Sequence, residues 1–389
     1  MRLESTTEIS TAQDSFRLAA YLQISALISL SVWMLLFLPD FLVRQGWSSQ
    51  KVGWAVGSYF SIYLLMQILA GQLANRYGNI TTALIGAGLG VAASISYMLA
   101  LKWPNTIFAA RMLHGSASAL VTIGVVSHLA DSVPVRLKGR VLGYFGVPGF
   151  VMLAAGPSLS EILRKASGVG GAFAAVFAIY LILISILRHL PESLQREDLP
   201  SEPLVHMLRE NFRRLKSILA YSFGFGFCCS VWQSFLAPSL SHLGAGAVSI
   251  FGVGYGAGAI VSRLGISQRL EVGSRRLGAI ASLSAYGACL ALLPQSARIW
   301  QLGILALLIG LCHGVYYPAL SSLATERFHQ SGTGAAMSLY MSASSLGHFL
   351  GPPLWGLLAD LTEFQWIFAA AGATLVVASL AFVANERRS

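Results

Sequence analysis

Charge is what this chain most lacks. Only 11% of its 389 residues are charged, while 55% are apolar and the mean hydropathy is +0.66; a soluble globular protein carries roughly 25% charged residues. So few charges do not cover a water-facing surface. A soluble enzyme, a secreted disulfide scaffold and a disordered protein are thereby excluded, and lipid is the main solvent. Cysteine is scarce as well. Cys228, Cys229, Cys289 and Cys312 all lie inside apolar runs without CxxC spacing, so neither a disulfide nor a metal site is expected. No Walker sequence occurs, so ATP hydrolysis by this chain is not expected to power anything it does. The first sixteen residues, with Glu4, Glu8 and Asp14, lack the basic start of a cleavable signal peptide.

What the chain has instead is long apolar runs. A bilayer-crossing helix needs roughly 20 mostly apolar residues. Twelve segments meet that measure, at about 17–38, 52–74, 80–101, 106–130, 138–164, 169–190, 216–240, 247–265, 274–294, 297–324, 332–359 and 364–384. Continuous runs of this length exclude the ten-residue alternation of a β-barrel. The sequence therefore predicts an all-α membrane protein of two six-helix halves, 1–190 and 216–389, joined by a polar linker at 191–215.

The net charge of +10 does not form a nucleic-acid surface, because the cations fall between the apolar runs and not in one stripe. Of the 26 Lys and Arg, nineteen lie on the side of the termini and linker, six lie on the other side, and Arg111 is inside segment 4. That asymmetry predicts cytoplasmic termini and linker in a cell (inner) membrane. It also places the Asn79-Ile80-Thr81 sequon on the cytoplasmic side, where no glycan is added.

The two halves repeat one another. Ser31-Val32-Trp33 with Pro39 recurs as Ser230-Val231-Trp232 with Pro238, and His114-Gly115 recurs as His313-Gly314, all at an offset of 199. Gly139, Gly156 and Pro157 recur as Gly334, Gly351 and Pro352 at an offset of 195. Parallel halves of this kind imply a pseudo-two-fold axis along the membrane normal and a cleft that opens to either side in turn.

Three motifs bear on kinship. The loop after segment 2, Gly71-Gln-Leu-Ala-Asn75-Arg76-Tyr77-Gly78, resembles the G-x-L-a-D-R-x-G signature of the major facilitator superfamily. Arg111-Met-Leu-His114-Gly115 is similar to that family's R-x-x-x-G element, and Gly310-Leu-Cys-His313-Gly314 leading to Pro318 is also typical. The resemblance spans about residues 17–384 and implies the twelve-helix facilitator fold; the overall form is similar to compact bacterial efflux-type permeases. There are departures. Asn75 stands where the family has Asp, and Asn79-Ile80 stand where basic residues follow, which implies a thinner charge relay at the cytoplasmic gate formed by Gly71, Asn75, Arg76 and Gly78. Segment 1 has no acid before Pro39, only Asp40 after it, and the antiporter glycine pattern of segment 5 is partial, through Gly149, Gly156 and Pro157.

Arg111 is costly inside a membrane helix and needs a cavity or a partner. It shares a helical stripe with His114, Ser118 and Thr122 that is expected to line the cleft. Its guanidinium either recognises an anion or dipole, or tunes a nearby proton site, or caps backbone carbonyls between helices. His114 and His313 occupy equivalent places and are candidates for a coupling proton, together with His348 and Asp40. The bland alternative for each histidine is a hydrogen bond across helices. Trp33, Trp232, Gln233, Tyr316 and Tyr317 are candidates for binding an amphipathic organic molecule. Gly254 to Ala259 fits a relaxed dinucleotide fingerprint, but no strand precedes it; these glycines, like Gly86, Gly88 and Gly90, are expected to let helices approach closely.

The expected activity is secondary export of a small organic solute, coupled to protons, by a monomer needing no cofactor and no nucleic acid. Organic-anion uptake is the alternative that Arg111 without a mid-membrane acid suits. An enzyme using His114 and His313 as acid and base lacks a nucleophile or metal cluster beside them.

Overall fold

The computed structural model describes residues 2–133, 141, 144–191, 204–244, 246–266, 272–327 and 333–386. Residues 192–203 of the expected linker and the first residues of segment 5 lie outside them. Among the described residues all regular structure is helical. The helices are α1 (Arg2–Trp33), α2 (Leu38–Arg44), α3 (Ser49–Tyr77), α4 (Asn79–Leu99), α5 (Thr106–Asp131) and α6 (Val147–Leu187). The second half contributes α7 (Leu204–Ser239), α8 (Ala247–Val261), α9 (Val272–Leu292), α10 (Ile299–Arg327), α11 (Thr333–Leu361) and α12 (Phe364–Glu386). A helix satisfies its own backbone in lipid, which is why apolar runs of this length fold this way.

Two boundaries differ from the sequence reading, at segments 1 and 7, and a third falls where the sequence places it. Segment 1 does not stop near residue 38. It breaks after Trp33 into a turn and resumes as α2, with Pro39 in the first turn, where a missing N–H costs nothing. The crossing therefore runs from Leu18 to Arg44 and includes Asp40. Segments 5 and 6 follow one another within α6, whose helical path is interrupted at Gly168 by a φ of 67°, a conformation that a β-carbon disfavours, so this break falls between 164 and 169 as the sequence places it. Helix α7 begins at Leu204, inside the stretch expected to be linker.

The most exposed apolar side chains, such as Leu361, Leu277, Val377 and Trp366, ring the bundle where lipid would contact it. Close contacts between helices rest on small residues, because lipid offers no hydrophobic drive for two helices to pair. A β-carbon on Gly115 would strike the Tyr59 carbonyl, and one on Gly314 the Ala259 carbonyl. Gly90 faces Tyr180 between α4 and α6, and Gly287 faces Gly372 between α9 and α12. The pseudo-two-fold of the sequence is thus a symmetry of packing. Gly88, grouped with Gly86 and Gly90 in the sequence, is exposed and has open space around it. Positions 86 and 90 share a face of α4, and position 88 is roughly 200° round from either.

Contacts between the halves cluster toward the face opposite the linker. There, α3 meets α11 at Gly53 on Pro352, Gly57 on Phe349 and Gly356 on Ser49. Likewise α6 meets α8 at Leu153 on Gly252 and Phe150 on Gly256. A carboxylate closes each seam. Asp360 of α11 accepts the backbone N–H groups of Ser49 (2.7 Å) and Gln50 (2.9 Å) at the start of α3. Glu161 of α6 accepts the Ser249 hydroxyl of α8 at 2.9 Å and the Lys165 ammonium at 2.7 Å. Positions 50 and 249 are related by the repeat offset of 199, so the two latches are pseudo-symmetric. A carboxylate at a helix N-terminus also answers the positive end of the helix dipole. Asp360→Asn is therefore expected to open the seal more often. A cysteine at Val56, in a background without the native cysteines, should react roughly two to five times faster with an impermeant maleimide supplied from that face. An unchanged rate would show that Asp360 does not hold the seal.

Candidate functional site

Beneath the seal lies a cleft built by both halves. Its main chamber, about 320 Å³, is lined from α1 by Ser29, Val32 and Trp33, from α3 by Tyr59, Phe60 and Tyr63, and from α5 by Ser118 and Thr122. The second half contributes Gln233 of α7, Tyr317 of α10, and Ser344, Ser345 and His348 of α11. Toward the seal a side chamber of about 50 Å³ continues it, sharing Trp33, Tyr59, Phe60 and Gln233 and ending on Arg111, Val56 and Pro39.

Arg111 is 6% exposed. One terminal nitrogen donates to the Val56 carbonyl at 3.3 Å, and the guanidinium lies 4.7 Å from the centre of the Tyr59 ring, a cation–π geometry. Its Nε has no partner, and among the described residues no carboxylate lies within ion-pair distance of it.

His114 is fully buried inside the first half, ringed edge-on by Tyr59, Tyr97 and Tyr180. Its hydrogen bonds fix the tautomer. The Ser31 hydroxyl gives its proton to the Ile28 carbonyl, so it accepts from His114 Nε2 at 3.1 Å, leaving Nδ1 to accept from the Tyr97 hydroxyl at 3.2 Å. A neutral ring uses both nitrogens. His313 pairs through Nδ1 with the Tyr255 hydroxyl at 2.7 Å and packs on Phe225 and, across the halves, on Phe150. His348 differs from both. Its Nδ1 donates to the Ser344 carbonyl at 2.9 Å, its ring stacks on Phe60 at 4.9 Å, and it lines the main chamber.

The aromatic candidates also separate. Trp33 lines both chambers and stacks on Trp232 across the halves, with ring centres 6.0 Å apart and planes 17° apart. Trp232 itself is buried and donates its indole N–H to the Tyr286 hydroxyl. Tyr316 is buried too, its hydroxyl donating to the Tyr221 carbonyl.

The chain matches the Major Facilitator Superfamily over residues 22–270 and 236–389. It belongs to that superfamily. Its similarity to multidrug resistance protein 1 of Bacillus subtilis is 27% identity over 144 residues, 36% of each chain, so the match spans about a third of that relative's length. The staphylopine export protein of Staphylococcus aureus is 22% identical over 85% of this chain and 86% of its own. Among solved structures, the nucleoside transporter NupG superposes with a TM-score of 0.75 at 14% identity, covering 94% of this chain and 99% of that one.

In this facilitator the polar stripe of α5 divides. At about 100° per residue, Arg111, Ser118 and Thr122 fall within roughly 40° of one another, whereas His114 lies about 60° to one side of Arg111. The first three line the cleft; His114 turns into the half. Asp40 lies apart from the cleft, paired with Arg44 at 2.8 Å beside a separate cavity of about 430 Å³ at the opposite face. In the gate loop, Asn75 and Arg76 are exposed, and Gly78 holds a φ of 94° where α3 turns into α4. Asn79, read as a sequon, is buried and donates to Asp131 of α5 at 2.9 Å. Sequence reasoning passed over Tyr59, Phe60 and Tyr63 of α3. Their spacing of four residues between tyrosines is the signal that would have placed them on one face.

Proposed function

We propose that this facilitator is a secondary transporter that exports a small organic solute from the cytoplasm in exchange for protons, working as a monomer in the cell (inner) membrane. One observation carries the reading: the cleft that holds Arg111 and His348 is walled by both halves and closed at one face by contacts between them. Rocking the halves about that cleft moves the seal from one face to the other. The basic residues assign the linker face to the cytoplasm, so the cleft lies on the cytoplasmic side of its seal. Export is supported by the relative named as a staphylopine export protein. The chain has no Walker sequence, which leaves an ion gradient or downhill diffusion to drive the cycle, and the gradient is the reading favoured here.

His348 is the coupling group this reading favours. Its Nε2 is left to take a proton, while Tyr63 and Tyr317 share its chamber and Arg111 is the cation at the chamber's end. The test is flux in proteoliposomes, using a compound first found by thermal shift of the purified protein. An imposed pH gradient should drive accumulation, and collapsing the gradient should abolish it. Equal flux without a gradient would overturn proton exchange. Tight binding without any flux would overturn transport.

A further inference from the structure

We infer that the cleft takes an organic anion with a flat apolar body, its acidic group held by Arg111 in the side chamber and its body in the main chamber. This rests on the transport reading only in treating the cleft as the substrate site. A cation this deeply buried is costly unless something compensates it. The protein compensates it in part: the Val56 carbonyl, the Tyr97 hydroxyl and the Tyr59 ring are dipolar partners, and among the described residues Nε has none and no carboxylate pairs with the guanidinium. A guanidinium used only to cap carbonyls would spend more of its five donors on them.

The dimensions agree with this division. A side chamber of about 50 Å³ has room for a carboxylate-sized group and for little more, since one water occupies roughly 30 Å³ of liquid. The main chamber of about 320 Å³ is walled by Trp33, Phe60, Tyr63 and Tyr317, surfaces suited to a flat apolar body. Gln233 lines both chambers and offers a hydrogen bond where head and body meet. Among the described residues neither chamber is lined by an Asp or Glu. An organic cation would find no counter-charge here and would meet Arg111, so the same residue selects against it.

The test uses three probes that share one body: 2-naphthoate, its methyl ester, and 2-naphthylmethylammonium. Binding is measured by calorimetry on the intact protein in detergent. The acid should bind about tenfold or more tighter than the other two, the scale of a charge-assisted hydrogen bond. Arg111→Gln should erase that preference while the ester still binds. Arg111→Lys should recover only part of it, because a point charge does not reproduce the planar donor fork. Should Arg111→Gln fail to fold, the wild-type ranking of the three probes still decides. The inference is overturned if the ester or the ammonium binds as tightly as the acid, if Arg111→Gln keeps the full preference, or if none of the three binds. Failure of the transport reading looks different: the acid binds at Arg111 yet is not carried. Gradient-driven flux of the ammonium probe would keep transport and sink this inference.

Discussion

Valine at Gly254 or Gly258 is expected to cost this transporter its fold, whereas valine at Gly252 or Gly256 is expected to cost it only one conformation. The four glycines alternate along α8, so successive pairs face opposite sides of the helix. Gly254 and Gly258 press on the Gly303 and Leu307 carbonyls of α10, within the same half. Gly252 and Gly256 press on the Leu153 and Phe150 carbonyls of α6, in the other half. A carbonyl belongs to a backbone that cannot rotate away, so a new side chain forces the helices apart. Overpacking of this kind costs about 1–3 kcal/mol, and more against backbone. Within a half the contact persists through the whole cycle, and the cost falls on folding: lower melting temperature and poor expression. Between halves the contact holds only while the seal is closed, so the cost falls on that state alone and shifts the population toward the other. Thermal melting separates the pairs, and impermeant labelling of a cysteine at Val56 from the opposite face reports the seal. Gly88→Val is the control, expected within about 0.5 kcal/mol of wild type because nothing adjoins it. Equal loss of stability in both glycine pairs would refute the distinction.

Leucine at His114 is expected to weaken the protein and leave the pH dependence of transport intact; leucine at His348 should do the reverse. His114 holds the hydroxyls of Ser31 and Tyr97 in the middle of the first half. Removing it strands two buried polar groups, at about 1–3 kcal/mol each. His348 sits at the cleft wall with Ser344 as its fixed partner and Phe60 beneath its ring, so its loss removes little packing from the interior. If it carries the proton, His348→Leu should flatten the rate–pH curve and uncouple flux from the gradient. Melting curves and proteoliposome flux between pH 5.5 and 8.5, a range of roughly one to two units either side of histidine's ordinary titration, measure both effects on the same preparations. A flattened curve in His114→Leu would return the coupling role to His114, and an unchanged one in His348→Leu would take it from His348.

The order and number of the spans, the two-fold repeat and the odd buried cation were legible in the sequence, because each follows from a rule that acts on one helix at a time. A segment in lipid must satisfy its own backbone, so twenty apolar residues are a helix whatever surrounds them. An arginine there is conspicuous whatever it faces. Which way each helix turns about its axis was not legible. Lipid and protein interior are equally apolar, so a membrane helix without a polar stripe like that of α5 has no face to announce its inner side, and rotation is decided by which small residue meets which backbone. That is why His114 turns into its half beside Gly115, why Gly88 faces outward between two packing glycines, and why Tyr59, Phe60 and Tyr63 wall the cleft. The latches are tertiary for the same reason. Nothing in the sequence distinguishes Glu161 and Asp360 from ordinary charges at span ends, and only the docking of α6 on α8 and α11 on α3 sets each against the start of a helix in the other half.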